Sequence, residues 1–185
     1  MKSLTVMMNK VKQTQRIPKP FIMKNVTAIY KNKGSRQDLD NDRGIFTCTI
    51  PHSILQKLIY KEIYPIIDTN LTDSNVGARK GRNIRNNSFI VNSVLHEVNS
   101  SKSKSNPVDL LILDYAKCFD GMSLEITTND IFNIGVRNEK LNLLHNSDKK
   151  NNVAVKTPFG LTDRFPVKDT VAQGDVNAPL KCTVQ

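Results

Sequence analysis

The run LLIL at 110–113, closed by Asp114, narrows the choice of fold more than any other stretch of the chain. Unbroken apolar residues without helical spacing, ended by a turn signal, read as a buried strand, and the expected strand is 108–114. Such a strand should not end in a carboxylate without reason, because burying an ionised acid is costly unless it is paired or holds a metal. Asp114 therefore lies at the strand's exposed end or meets a cation. Asp120 follows six residues later, directly behind Phe119.

The remaining patterning predicts an α+β fold. Residues 1–20 read as a polar, weakly ordered lead-in. FIMKNVTAIY (21–30) and IFTCTI (45–50) read as two strands joined by a polar, basic loop, a hairpin that projects into solvent. Ile54, Leu55, Leu58, Ile59 and Ile63 recur at helical spacing, with Ser53 as a candidate N-cap and Pro65 as the stop. Ile84, Val91, Leu95 and Val98 predict a helix over 84–98. Further helices are expected at 123–134, ending at Gly135, and near 138–146. A β-hairpin turning at Pro158 and Gly160 follows, and the chain closes with a glycine turn leading into a helix start.

Charge selects the class of partner. Among 185 residues, 27 Lys and Arg against 17 Asp and Glu leave a net charge of +10. Such an excess favours polyanions, nucleic acid first and anionic membrane second. The charge is gathered in two groups, Lys31, Lys33, Arg36 and Arg43, then Arg79, Lys80, Arg82 and Arg85; the plain alternative is two solvated loops. No stretch approaches the roughly 20 apolar residues of a membrane helix. The three cysteines, Cys48, Cys118 and Cys182, have neither zinc spacing nor the pattern of a disulfide framework, which points to an intracellular compartment, cytoplasm or nucleus. His52, His96 and His145 show no ligand spacing.

A strand that ends in Asp, turns through Phe-Asp and enters a helix is a ready place for Mg²⁺, which takes hard oxygen ligands. Alone, that pattern more often caps a turn. The order of segments changes its weight. LDYAKCFD (113–120) resembles the first palm motif, (F/L)DxxxAFD, of the reverse transcriptases of non-LTR retrotransposons, with Cys118 where the family usually has Ala. VAQGDVNAPL (171–180) resembles that family's RQGDPLSPLL motif and VGARKGR (76–82) its GFRKGRS segment. AIYKNKGSRQDLDNDRGI (28–45) is similar to its fingers segment. The resemblance runs from about residue 26 to 185.

The resemblance implies a right-hand polymerase fold, with fingers over 21–107 and part of an antiparallel palm sheet over 108–185. It implies that Asp114 is a metal-binding, catalytic aspartate, with the carbonyl of Tyr115 completing that edge of a Mg²⁺ site, and that Asp120 is supporting structure. Phe119 would lie beneath the incoming sugar and exclude a 2′-hydroxyl. Gln173 and Gly174 would pack on the incoming nucleotide and template base. Arg43, helped by Lys33 or less readily Lys31, would hold the triphosphate through charge and a fork of donors. Arg79, Lys80 and Arg82 would contact template or primer backbone, independent of sequence. The partners implied are an RNA template, a DNA primer and deoxynucleoside triphosphates. The reaction implied is nucleotidyl transfer assisted by two metals about 3.5–4 Å apart.

The family's aromatic-x-Asp-Asp signature does not occur in these 185 residues. The expectation is therefore a fragment of fingers and partial palm that does not polymerise by itself. A non-catalytic nucleic-acid-binding remnant is the first alternative, and a fragment that does not fold stably is the second. Ala78, Asn83, Val176, Asn177 and Ala178 also depart from the family's usual residues.

Overall fold

The computed structural model describes residues 2–100, 109–115, 118–149, 151–167 and 171–184. It is a mixed α+β structure in which helices pack together beside a small mixed sheet.

The chain opens in a helix, α1 (Lys2–Thr14), rather than the weakly ordered lead-in its polarity predicts. Leu4, Met8 and Val11 fall four and three residues apart, enough to form a stripe, and Met8 and Val11 are buried in the main core. Strands β1 (Met23–Tyr30) and β2 (Asp42–Cys48) form the expected antiparallel hairpin, Val26 opposite Phe46 and Tyr30 opposite Asp42.

Helix α2 (Ile50–Asn70) begins earlier and ends later than predicted. Thr49, not Ser53, is its N-cap, and its hydroxyl accepts from the His52 N–H at 3.4 Å. Pro65 does not stop it. Proline removes one helical hydrogen bond, but Leu55, Ile59, Ile63 and Ile67 bury one face continuously across that point. Pro65 itself lies on the exposed face. Tertiary burial outweighs the local breaker, as is usual where packing rather than propensity holds a helix.

Helix α3 (Ile84–Ser100) appears where expected but buries none of its residues. A single helical turn, α4 (Cys118–Gly121), precedes α5 (Leu124–Ile134), whose end is set by Gly135 at φ 116°. Its N–H caps the last turn through the carbonyls of Ile131 and Phe132, the left-handed stop that glycine allows. Helix α6 (Asn138–Asp148) leads into β3 (Asn151–Thr157), then β4 (Gly160–Leu161) and β5 (Phe165–Val167), and the chain reaches α7 (Ala178–Val184).

Two expectations are corrected. The sheet is mixed, not antiparallel: β1 pairs with β3 in parallel, Val26 opposite Val155. A long crossover that includes α2, α5 and α6 separates the two strands, as a parallel pair requires. The predicted strand at 108–114 is also absent. Val108 lies outside the described residues, and 109–115 form neither strand nor helix. Leu111, Ile112 and Leu113 are each more than three-quarters exposed. An apolar run becomes a strand only when a neighbour completes its hydrogen bonds, and no described strand lies beside it.

The main core joins α1, α2, α5, α6 and α7 through Ile63, Ile67, Ile131, Val136, Leu144 and Leu180. A smaller cluster of Met122, Val171 and Ala178 packs with Cys118, Phe119 and Cys182.

Candidate nucleotide and nucleic-acid site

The turn at Gln173–Gly174 is seated on the free edge of β2. In an antiparallel ladder, alternate residues turn both backbone groups away from the partner strand. Phe46, opposite Val26, is such a residue, and its outward N–H donates to the Gln173 carbonyl at 2.8 Å. Gly174 follows at φ 114°, and a Cβ there would lie 2.5 Å from the Phe46 carbonyl oxygen. Both the backbone angle and the approach exclude a side chain. The turn thus covers an otherwise open strand edge.

A buried ionic core anchors the same turn from below. Lys24 of β1 is hydrogen-bonded and ion-paired to Asp175, with both side chains fully buried. The Cys48 thiol of β2 donates to the other Asp175 oxygen at 2.6 Å. Burial pushes the Asp175 carboxyl up, but the Lys24 charge and the Cys48 and Lys24 hydrogen bonds outweigh it, and the net shift is downward. The Cys48 thiol is pushed up to about 12, first by burial and then by the Asp175 charge. Burial, reinforced by Lys24, lowers His52 and keeps its imidazole neutral.

Two residues on, Asn177 is buried and donates to Gln56, both to its carbonyl at 3.2 Å and to its side-chain oxygen. Gln56 in turn donates to Ser147 at 2.8 Å and contacts His52. Lys181 of α7 meets Asp148 of α6 at 2.5 Å. The segment 173–181 is therefore tied by polar side chains to both strands of the hairpin and to α2 and α6. An open cleft of about 380 Å³, lined by Phe46, Cys48, His52, Gln56 and Gly174 among others, lies along it.

The predicted cations fall into two groups. Lys33 and Arg43 are exposed, Lys33 in the 31–41 loop and Arg43 on β2 opposite Ile29. That loop is organised: Tyr30 Oη donates to the Gly34 carbonyl, Lys31 Nζ to the Asp40 carbonyl at 2.8 Å, and the Arg36 guanidinium lies 5.1 Å from the Tyr30 ring centre. Lys80 is exposed, and Arg82 meets Asp73 at 2.5 Å near solvent.

Arg79 differs from these. Its side chain is only 6 % exposed, and its guanidinium donates to the Asp68 carboxylate at 2.7 Å and to the carbonyls of Asp68, Thr72 and Asn75. The hydrogen bond from Arg79 lowers the Asp68 carboxyl, helped by that from Tyr64. Arg79 is committed to holding the 71–82 loop.

Asp114 and Tyr115 lie exposed in the irregular 109–115 segment, and Phe119 is half-buried in α4. Among the described residues, one group of three or more His, Cys, Asp or Glu side chains is placed for a metal, and it is Cys48, His52 and Asp175, not Asp114. A thiol and an imidazole are poor ligands for Mg²⁺, and Lys24 already neutralises Asp175. The donors present do not fit magnesium at that cluster, and Asp114 alone does not fix a metal pair. No helix among the described residues is long and apolar enough to cross a membrane.

No protein-family model and no curated protein matches this chain. Sequence reasoning passed over Lys24, Gln56, Asp148, Asp175 and Lys181, all buried. The available signal was polarity out of place: Lys24 interrupts an apolar strand, and Asn177 stands where the resembled motif carries Leu.

Proposed function

We propose that this chain is the fingers and first part of the palm of a non-LTR reverse transcriptase, holding template, primer and deoxynucleoside triphosphate for nucleotidyl transfer. One observation carries the reading. Two segments that the motifs assign to the nucleotide, β2 with Arg43 and the Gln173–Gly174 turn, are bonded edge to edge through Phe46. Arg43 lies three residues along β2 from that bond, about 10 Å at strand rise. A triphosphate reaching from the turn towards Arg43 and Lys33 would meet positive charge at its far end. Phe119 would then select against a 2′-hydroxyl on steric grounds. In this reading Asp114 contributes its carboxylate to catalysis only together with further acids.

A non-catalytic nucleic-acid binder is the second reading. It is favoured by the exposed position of Asp114, apart from any gathered set of acids among the described residues.

The test is binding of a labelled RNA–DNA primer-template over a salt series, with and without a deoxynucleoside triphosphate. The first reading expects salt-sensitive binding that the triphosphate strengthens, with the gain lost in Arg43→Ala. Binding that ignores the triphosphate leaves only the second reading. Primer extension that disappears in Asp114→Asn would show the chain itself to be a catalyst.

A further inference from the structure

The structure places two thiols on segments that flank the motifs. Cys118 opens α4, three residues after Tyr115, and Cys182 lies in α7, eight residues after Gly174. Their sulfurs are 3.3 Å apart across 64 residues of sequence. Both side chains are partly exposed, and both border the small cluster of Met122, Val171 and Ala178. A disulfide has an S–S distance of about 2.05 Å, so closure takes an approach of roughly 1.3 Å. The third cysteine is differently placed: Cys48 is spent on Asp175 and its thiol is pushed up to about 12.

We propose that Cys118 and Cys182 form a reversible dithiol–disulfide site whose co-reactant is a low-molecular-weight disulfide such as oxidised glutathione. One protein thiolate attacks a sulfur of the small disulfide, breaks its S–S bond and releases one glutathione thiolate. The second protein thiolate attacks the protein-side sulfur of the mixed disulfide and releases the other glutathione. Two protein thiols are oxidised, one small disulfide is reduced, and the two protons end on the two glutathione thiolates. The bond formed braces α4 against the helix that follows the Gln173–Gly174 turn. The inference is independent of the polymerase reading, because it rests on the sulfur pair and not on any nucleotide.

Burial, together with the neighbouring Cys118 sulfur, pushes the Cys182 thiol up to about 11. Attack by the Cys182 sulfur is therefore slow at neutral pH and accelerates as its own thiolate fraction grows, about tenfold per pH unit below that value.

The experiment is oxidation of the full chain by oxidised glutathione at pH 7 to 9, in buffer and in 8 M urea, quenched by alkylation and read by peptide mass mapping. The expected result in buffer is a dominant Cys118–Cys182 peptide, retained in Cys48→Ser, with a lone glutathione adduct on Cys182 in Cys118→Ser. In urea the preference for that pair should fall towards the distribution of an unfolded chain. A pairing pattern unchanged by urea would overturn the proposal, and so would stable glutathione adducts on both Cys118 and Cys182 of the native chain. Links dominated by Cys48 would overturn it equally.

Discussion

Asp175→Asn is the sharpest test of how the Gln173–Gly174 turn is held. The substitution keeps the shape and removes the charge that Lys24 faces with both side chains out of solvent. Breaking one side of a buried ion pair costs about 3–5 kcal/mol, because the remaining charge is left uncompensated. That is a large part of the roughly 5–15 kcal/mol that holds a domain together. At about 2–4 °C per kcal/mol for a chain of this size, Tm should fall by about 6–20 °C. The pH dependence identifies the cause. The folded Asp175 carboxyl sits below its ordinary value, so its contribution is present above the unfolded pKa of about 3.9 and is lost as pH falls through the folded value. The difference between wild type and variant should therefore shrink below about pH 4. Adding Lys24→Met should restore most of the loss, with a coupling energy of at least about 2 kcal/mol. Urea unfolding across pH measures all of this. A loss below about 1 kcal/mol that does not shrink in acid would refute the buried pair and the docking it supports.

Gly174→Ala should cost several kcal/mol and loosen the turn from β2, whereas Gly160→Ala, at φ 123° with nothing within 4 Å of its Cβ position, meets only the backbone cost of about 1–2 kcal/mol. Equal losses in thermal unfolding would remove the steric contact with Phe46. Lys80→Ala combined with Arg82→Ala should weaken primer-template binding and flatten its salt dependence by about two phosphate contacts while leaving Tm within a degree or two. Arg79→Ala should instead cost about 2 kcal/mol of stability through the lost charged hydrogen bonds; a pure binding defect in Arg79→Ala would contradict its commitment to Asp68. In native buffer at pH 8, Cys48 should resist iodoacetamide far longer than in urea, since its thiol is raised to about 12; equal rates would show that it is not buried against Asp175.

The hairpin of β1 and β2, helix α3, the Gly135 stop and the turn into α7 were legible because each depends on local chemistry: alternation, spacing, or a residue that tolerates positive φ. The failures share a different cause. Pro65 misled because the stripe from Leu55 to Ile67 decides that helix, and the run at 110–113 misled because a strand needs a neighbour that local sequence does not report. The buried polar set was the hardest to see, since a Lys in a strand reads as a solvent-facing residue until its partner is known. Lys24 and Asp175 are separated by 151 positions, so neither residue announces the pair.

Asn177 belongs to the same buried polar set. The resembled motif places Leu there, and an isolated change from Leu to Asn at a buried position leaves polar groups to satisfy, at about 1–3 kcal/mol each. Here Asn177 is fully buried, but its amide donates to Gln56, which is itself buried and bonded to Ser147. The Asn177 amide nitrogen is thus paired on α2, and through Gln56 reaches Ser147 on α6, while its side-chain oxygen is buried without a hydrogen-bond partner. Replacing Gln56 and Asn177 together by Leu should then be tolerated better than replacing either alone, an inequality that urea unfolding of the three variants decides.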